Sequence, residues 1–263
     1  MSKSVLLEIG VEEVPARFIP QALRMLRELS EAGFKDAALD IGDIETYATP
    51  RRMAVIVHNV PDMQPDRVRE AFGPPKKAAF TPDCKFTKAA EGFARTCGVD
   101  TSALTVKAKD KGEYVVAVIE DKGRPAADVL PELLKKIVMS LHFPKSMRWG
   151  DGTMKFVRPI HWIAALYGAD TVTFEIENLT SGRSSRGHRF LSPDEFAFKD
   201  AGSYAAELKA RSVIVDKAER ERMIADGARA LAQSAGGALV EDEELLSIVS
   251  CLVEYPVPVM GTF

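Results

Sequence analysis

The sequence predicts an α+β fold of mixed, largely antiparallel sheets with packed helices, arranged in two lobes. Helix-periodic and strand-like runs mix irregularly over 263 residues, without the steady β-α alternation of a doubly wound sheet. Two strand pairs straddle short glycine-containing turns, Asp110-Lys111-Gly112 and Gly168-Ala169-Asp170, which is hairpin chemistry. The segment 128–141 sets Val129, Leu130, Leu133, Leu134, Ile137, Val138 and Leu141 on one side, the spacing of an amphipathic helix. That helix ends the first expected lobe, 1–142. The second, 143–263, carries the most basic loops.

In order, Val5-Leu-Leu-Glu-Ile-Gly10 reads as a mostly buried first strand, and Glu12-Glu13-Val14-Pro15 as the turn out of it. Ile19, Leu23, Leu26 and Leu29 recur at helical spacing, with Gly33 placed for a C-terminal cap. Residues 44–48 and 53–60 read as strands joined by Thr49-Pro50-Arg51-Arg52. Residues 61–82, broken by prolines, read as a long irregular connector. A helix over 86–97 ends at Gly98, and 105–109 with 113–120 forms the first hairpin. Residues 160–167 and 171–177 form the second, with Val172, Phe174 and Ile176 inward. Then come a short strand at 213–215, a helix from Asp216 to about Ser234, and a last helix over 243–253.

Composition excludes several classes. Hydrophobic content of 46% and charged content of 28% are ordinary for a globular chain. Net charge is −3, which argues against a generally basic polyanion binder, but the charge is unevenly spread. Residues 1–142 balance, 143–189 hold 7 cations against 4 anions, and 190–263 hold 7 against 13. A basic centre beside an acidic remainder suits a confined anionic footprint. Cys84, Cys97 and Cys251 form no C-x-x-C pair, so neither a disulfide framework nor a zinc site is indicated. The start lacks a long apolar run, which predicts no signal peptide, no membrane contact and a cytoplasmic setting.

Three loops concentrate cations. Phe143-Pro-Lys-Ser-Met-Arg-Trp-Gly150 and Phe156-Val-Arg-Pro-Ile-His-Trp-Ile163 hold Lys145, Arg148, Arg158, His161 and both tryptophans. Arginine forks suit phosphate and aromatic faces stack on bases, so the mixture suggests nucleic acid; two core tryptophans beside surface cations is the plainer reading. Arg51 and Arg52 form a candidate phosphate grip, although neighbours on a strand point to opposite faces. Ser181-Gly-Arg-Ser-Ser-Arg-Gly-His-Arg-Phe190 reads as a flexible basic loop that buries nothing, better suited to an anion than to the core. Glu12 and Glu13, acidic residues at a strand end, read as solvated turn residues or as a helix N-terminal charge pair. No phosphate-binding glycine loop, dinucleotide fingerprint, nucleophile elbow or H-E-x-x-H is present, and the four histidines lack ligand spacing. No catalytic residue and no metal ligand is assigned.

Seven motifs in register go further: Leu6-Leu-Glu-Ile-Gly-Val-Glu-Glu-Val-Pro15, Ala48-Thr-Pro-Arg-Arg-Met-Ala-Val55, Lys88-Ala-Ala-Glu-Gly-Phe-Ala94, Phe143-Pro-Lys-Ser-Met-Arg-Trp-Gly150, Phe156-Val-Arg-Pro-Ile-His-Trp162, Arg186-Gly-His-Arg-Phe190 and Leu252-Val-Glu-Tyr-Pro-Val257. Together they closely resemble the β subunit of the bacterial heterotetrameric glycyl-tRNA synthetase. Val11, Val14 and Asn178 depart from the family's usual residues.

The resemblance implies an α2β2 enzyme that joins glycine to its tRNA with ATP. ATP and Mg would sit in the α subunit's class II active site, and this chain would hold no cofactor. Its partners would be the α subunit, tRNA(Gly) and a second β subunit. The family's β subunit is far longer, so the chain is expected to be its N-terminal portion. On these grounds Arg51, Arg52, Lys145, Arg148, Arg158, Arg186, His188 and Arg189 are the expected phosphate-contacting set. An α-subunit docking module and a hydrolytic editing domain are the alternatives, the last by analogy alone.

Overall fold

The computed structural model describes residues 2–261 apart from 82, 84, 110 and 111. The chain opens with β1 (Ser2–Val11), α1 (Ile19–Asp36), β2 (Ile44–Thr49) and β3 (Arg52–Pro61). Next come β4 (Arg67–Pro75), α2 (Lys76–Ala79), α3 (Lys88–Cys97), β5 (Thr105–Lys109) and β6 (Gly112–Asp121). Then follow α4 (Ala126–Ser140), β7 (Ile160–Tyr167), β8 (Asp170–Thr171), β9 (Glu175–Ile176), β10 (Leu179–Thr180), β11 (Ser184–Arg186) and β12 (Glu195–Ala197). The last elements are α5 (Tyr204–Lys209), α6 (Lys217–Ser234) and α7 (Glu243–Ser250). The architecture is α+β with antiparallel sheets, as the sequence predicts.

Two compact units result: Met1–Asp62 with Pro125–Phe263, and Met63–Arg124. This corrects the boundary expected after residue 142. In the larger unit, strands from both expected lobes share one five-stranded sheet in the order β2-β3-β1-β7-β8. β1 runs antiparallel to both β3 and β7, with Leu6 opposite Ile56 and Leu166. A strand completing a sheet more than a hundred residues away leaves no local trace in sequence.

β1 is central, so both of its faces are covered. Val5, Leu7, Ile9 and Val11 face a core made with Ile19, Ala22 and Leu26 of α1 and Leu130, Leu134 and Val138 of α4. Leu6 turns to the opposite face, where Ala54, Ile56, Ala164 and Leu166 meet Phe198, Tyr204, Leu208, Val213 and Val215. Residues 213–215, expected as a short strand, are buried but join no ladder among the described residues; Ile214 N donates to Glu254 O at 2.8 Å instead.

In the smaller unit, β4, β6 and β5 form a three-stranded sheet. The connector expected over 61–82 is therefore partly strand. β4 is an edge strand with mostly exposed residues, so it lacks the apolar alternation that would reveal it, and Pro74 and Pro75 sit at its end. Around these elements Ala79, Ala90 and Val115 make a small separate core. The β5–β6 hairpin is present; Asp110 and Lys111 of its turn, and Cys84, lie outside the described residues.

Gly33 does not cap α1, which continues to Asp36 and ends through Ala38 in the left-handed region at φ 51°. Its role is close approach: a methyl at Gly33 would lie 2.6 Å from Leu133 Cδ1 of α4. Gly33→Val should lower stability by about 1–3 kcal/mol in denaturant unfolding. Adding Leu133→Ala should then cost less than the two single changes together, because each relieves the other.

Candidate functional site

Glu8 lies in the middle of the central strand and is fully buried. Its neighbours across the sheet are Ala54 on β3 and Ala164 on β7, small enough to leave space around the carboxylate. One turn of the pleat on, Arg52, Gly10 and Trp162 form the next cross-strand row. A side chain at Gly10 would fall inside the Trp162 indole, so glycine there lets the ring lie across β1. Trp162 Nε1 then donates to Glu8 Oε1 at 2.6 Å, and Arg52 lies over the ring at 5.6 Å.

Every lone pair that Glu8 turns inward is met. Tyr204 Oη donates to Oε2 at 2.8 Å, Ser185 Oγ donates to Oε1, and Arg52 Nη1 pairs with Oε2 at 3.5 Å. Arg52 also bonds Glu254 Oε1 at 3.2 Å, Ser185 Oγ at 3.2 Å and the Arg186 carbonyl at 2.8 Å. Thr49 Oγ1 donates to Glu254 Oε1 at 2.7 Å. Burial acts to lower the Arg52 pKa, but the Glu8 and Glu254 carboxylates outweigh it and hold it above the ordinary value. Burial and the Glu8 charge likewise push the Tyr204 hydroxyl far above its usual pKa.

Arg52 is therefore a correction to the expected phosphate-contacting set. With no exposed surface and two carboxylate partners, it closes the core instead of meeting a polyanion. The reading of 181–190 as a loop that buries nothing is overturned with it. Ser181 and Ser185 are buried, Ser184–Arg186 is strand β11 paired with β12, and Arg183 binds the carbonyls of Phe198 and Lys199. Its Ser185 hydroxyl meets both Glu8 and Arg52, and its Arg186 carbonyl accepts from Arg52.

The other expected residues separate into groups. Arg51, Arg186 and Arg189 line one cleft of about 470 Å³ with Val11, Glu12, His161, Trp162, Gly187, Pro193 and Glu195. Arg51 Nη1 reaches Glu254 Oε2 at 3.4 Å, and Arg189 bonds Glu12 at 2.7 Å and Glu13 at 3.3 Å. His161 Nε2 lies 3.0 Å from Glu12, whose pKa is lowered first by Arg189 and then by His161. Glu12 and Glu13 are thus ion-pair partners and not free turn charges. Arg186 is exposed and lies 5.3 Å over Trp162, with no ion pair among the described residues. Arg158 is occupied by the carbonyls of Glu13 and Val157, at 3.1 and 3.0 Å.

Lys145 and Arg148 lie elsewhere, on the turn that Met147 and Phe156 close by pairing their backbones. With Ser146, Met147 and Lys155, Arg148 lines an open depression of about 380 Å³. Lys145, Arg148 and Lys155 are exposed and have no ion pair among the described residues. Trp149 packs against the main core, so the plainer reading of that tryptophan holds beside the cationic one.

The motifs are now placed. A model of the glycyl-tRNA synthetase β subunit family matches residues 5–263. The chain belongs to that family. It is 45% identical over 263 residues to a glycine–tRNA ligase β subunit of Geobacter sulfurreducens. Identity is 43% to that of Syntrophus aciditrophicus and 44% to that of Myxococcus xanthus. All of this chain is covered in each case, against 38%, 38% and 37% of those relatives, so it spans under two-fifths of their length. Five of the motifs by which the sequence resembles this β-subunit family, those starting at Leu6, Ala48, Phe156, Arg186 and Leu252, supply Glu8, Thr49, Arg52, Trp162, the Arg186 carbonyl and Glu254 to one network.

Sequence reasoning missed Glu8, Glu254, Tyr204 and Arg220. Arg220 is fully buried and donates to the carbonyls of Ser250, Ile214 and Ala48 at 2.8, 2.6 and 2.8 Å. For Glu8 the signal was present: a lone carboxylate inside an apolar strand needs a buried partner. Among the described residues no group of three or more His, Cys, Asp or Glu could hold a metal. Among the described residues no serine, threonine or cysteine lines the cleft. The arrangement fixes charge and shape.

Arg52→Met should cost about 3–5 kcal/mol in denaturant unfolding, because Glu8 would stay buried without its cation. Arg189→Ala, whose pairs are half-exposed, should change stability by less than about 1 kcal/mol. His188 gives a pH signature. Burial, followed by Arg51 and Arg52, lowers its pKa from 6.5 despite the opposing Glu254 charge, so the folded state resists protonation. Stability is then highest above 6.5 and falls as pH drops through the lowered value, since the unfolded chain binds the proton first. Urea titrations should show a smaller acid loss for His188→Asn, which accepts hydrogen bonds without titrating.

Proposed function

We propose that this chain is a non-catalytic part of a glycine–tRNA ligase β subunit, serving tRNA binding and assembly with the α subunit. In this reading the whole enzyme joins glycine to tRNA(Gly) in the cytoplasm, with ATP and Mg at the α subunit and a second β subunit in the assembly. Membership of the family supports the setting. The observation that carries the role is the sorting of cations. Arg51, Arg52 and Arg189 are committed to carboxylates, whereas Lys145, Arg148, Lys155 and Arg186 stand exposed without an ion pair among the described residues. Unpaired cations held on closed backbone turns lose little on meeting phosphate and release counterions when they do.

Measuring tRNA affinity against salt tests this. Lys145→Ala with Arg148→Ala and Lys155→Ala should flatten the plot of log affinity against log salt by about one unit per phosphate contact removed. Arg189→Ala should leave the slope nearly unchanged. An unaltered slope in the triple variant, with α-subunit association lost, would make this surface a docking face instead.

A further inference from the structure

We propose that Phe190 is a stacking platform for an unpaired nucleotide, with Arg186 and Trp162 gripping the adjoining phosphate and sugar; this rests on the tRNA-binding reading above. Phe190 is 82% exposed, next to Leu191 at 59%. The other exposed aromatics among the described residues, Phe72 at 39% and Tyr255 at 38%, are half as exposed, so Phe190 is set apart by the open face of its ring.

The turn beneath it is built to hold it there. His188 Nδ1 accepts from both Phe190 N and Leu191 N, each at 3.2 Å. Ser192 N donates to the His188 carbonyl at 3.0 Å, and His188 N to the Arg211 carbonyl at 3.1 Å. Arg51 reaches the Gly187 carbonyl at 3.5 Å, and Arg52 the Arg186 carbonyl at 2.8 Å. The turn is thus tied to the buried Glu8–Arg52–Glu254 network, and the ring of His188 lies 6.2 Å from that of Phe190. The ordering cost of presenting the ring is met by folding and not by binding, which is what preorganisation means.

The surroundings choose the ligand class. An aromatic that anchors a protein partner sits at the centre of an apolar patch that excludes water. Here Arg189, the chain neighbour of Phe190, lines a cleft with Arg51, Arg186, His161, Glu12 and Glu195, and the half-buried Trp162 forms part of its wall. Cations interleaved with aromatic faces are the composition that holds single-stranded nucleic acid. Its volume of about 470 Å³ accommodates one nucleotide. Arg186, without an ion pair among the described residues and lying over Trp162, is the free cation for a phosphate. Stacking reads a π face, so the occupant is unpaired RNA and not a duplex.

The test uses the chain, alone and within the assembled ligase, against tRNA(Gly) and a short single-stranded RNA carrying 2-aminopurine. Phe190→Ala should weaken binding roughly 5- to 100-fold and remove the fluorescence quench, and Phe190→Trp should restore both. The salt slope should not change in either variant, because no phosphate contact is lost. Full affinity and quench in Phe190→Ala would overturn the platform while leaving the cationic surface standing. Wild-type protein that shows no salt-dependent RNA binding would sink the tRNA reading itself. Loss of α-subunit association in sedimentation, with RNA affinity intact, would make Phe190 a protein anchor and also overturn the proposal.

Discussion

A carboxylate on the central strand of a sheet covered on both faces is the constraint from which the rest of the larger unit follows. Glu8 cannot reach water, so its charge needs a cation and its remaining lone pairs need donors. No single neighbouring strand provides them all. Arg52 comes from β3, Trp162 from β7, Ser185 from β11 and Tyr204 from α5. A one-residue slip of β1 against either neighbour would turn Glu8 into the aliphatic core on the opposite face, so the polar cluster fixes register as firmly as the apolar pattern does. Two alanines and one glycine in the flanking rows are the steric counterpart, since larger residues there would displace the partners.

The same requirement explains a basic segment being ordered. Arg52 carries more donors than Glu8 and Glu254 can accept, and the surplus goes to Ser185 and the Arg186 carbonyl. Residues 184–188 are held against the cluster because Ser185 and the Arg186 carbonyl accept from Arg52 Nη1. Once they are fixed, Arg186 and Arg189 stand at the cleft in set positions, and Phe190 follows Arg189 on the same turn. Positioning at the surface is here a consequence of charge satisfaction in the interior.

Much of the fold was legible. The helices α1, α4 and α6 and the β2–β3 and β5–β6 pairs follow from apolar periodicity and turn residues. β4 was not, because an exposed edge strand has no inward face to alternate. The site was legible only as a list of cations. Arg51 and Arg52 are adjacent and look equivalent, yet one is fully buried and the other lines a cleft, a division that strand alternation foretells without saying which is which. Glu254 lies more than two hundred residues from Arg52, and no local pattern announces that pairing.

Charge counted along the chain therefore misleads in a specific way. The surplus of cations over 143–189 suggests a polyanion footprint of that size. In space, Arg189 is answered by Glu12 and Glu13 from the turn after β1, and Arg158 by backbone carbonyls. What remains to attract phosphate is Lys145, Arg148, Lys155 and Arg186, four side chains on two surfaces. A field from so few charges is short-ranged at physiological ionic strength, where screening acts within about 8 Å. In the proposed tRNA-binding role such a field would orient an RNA already delivered by a larger surface and would not by itself gather one from solution. Contacts that depend on shape, such as an aromatic ring held open beside a cationic cleft, then carry a larger share of what this region contributes.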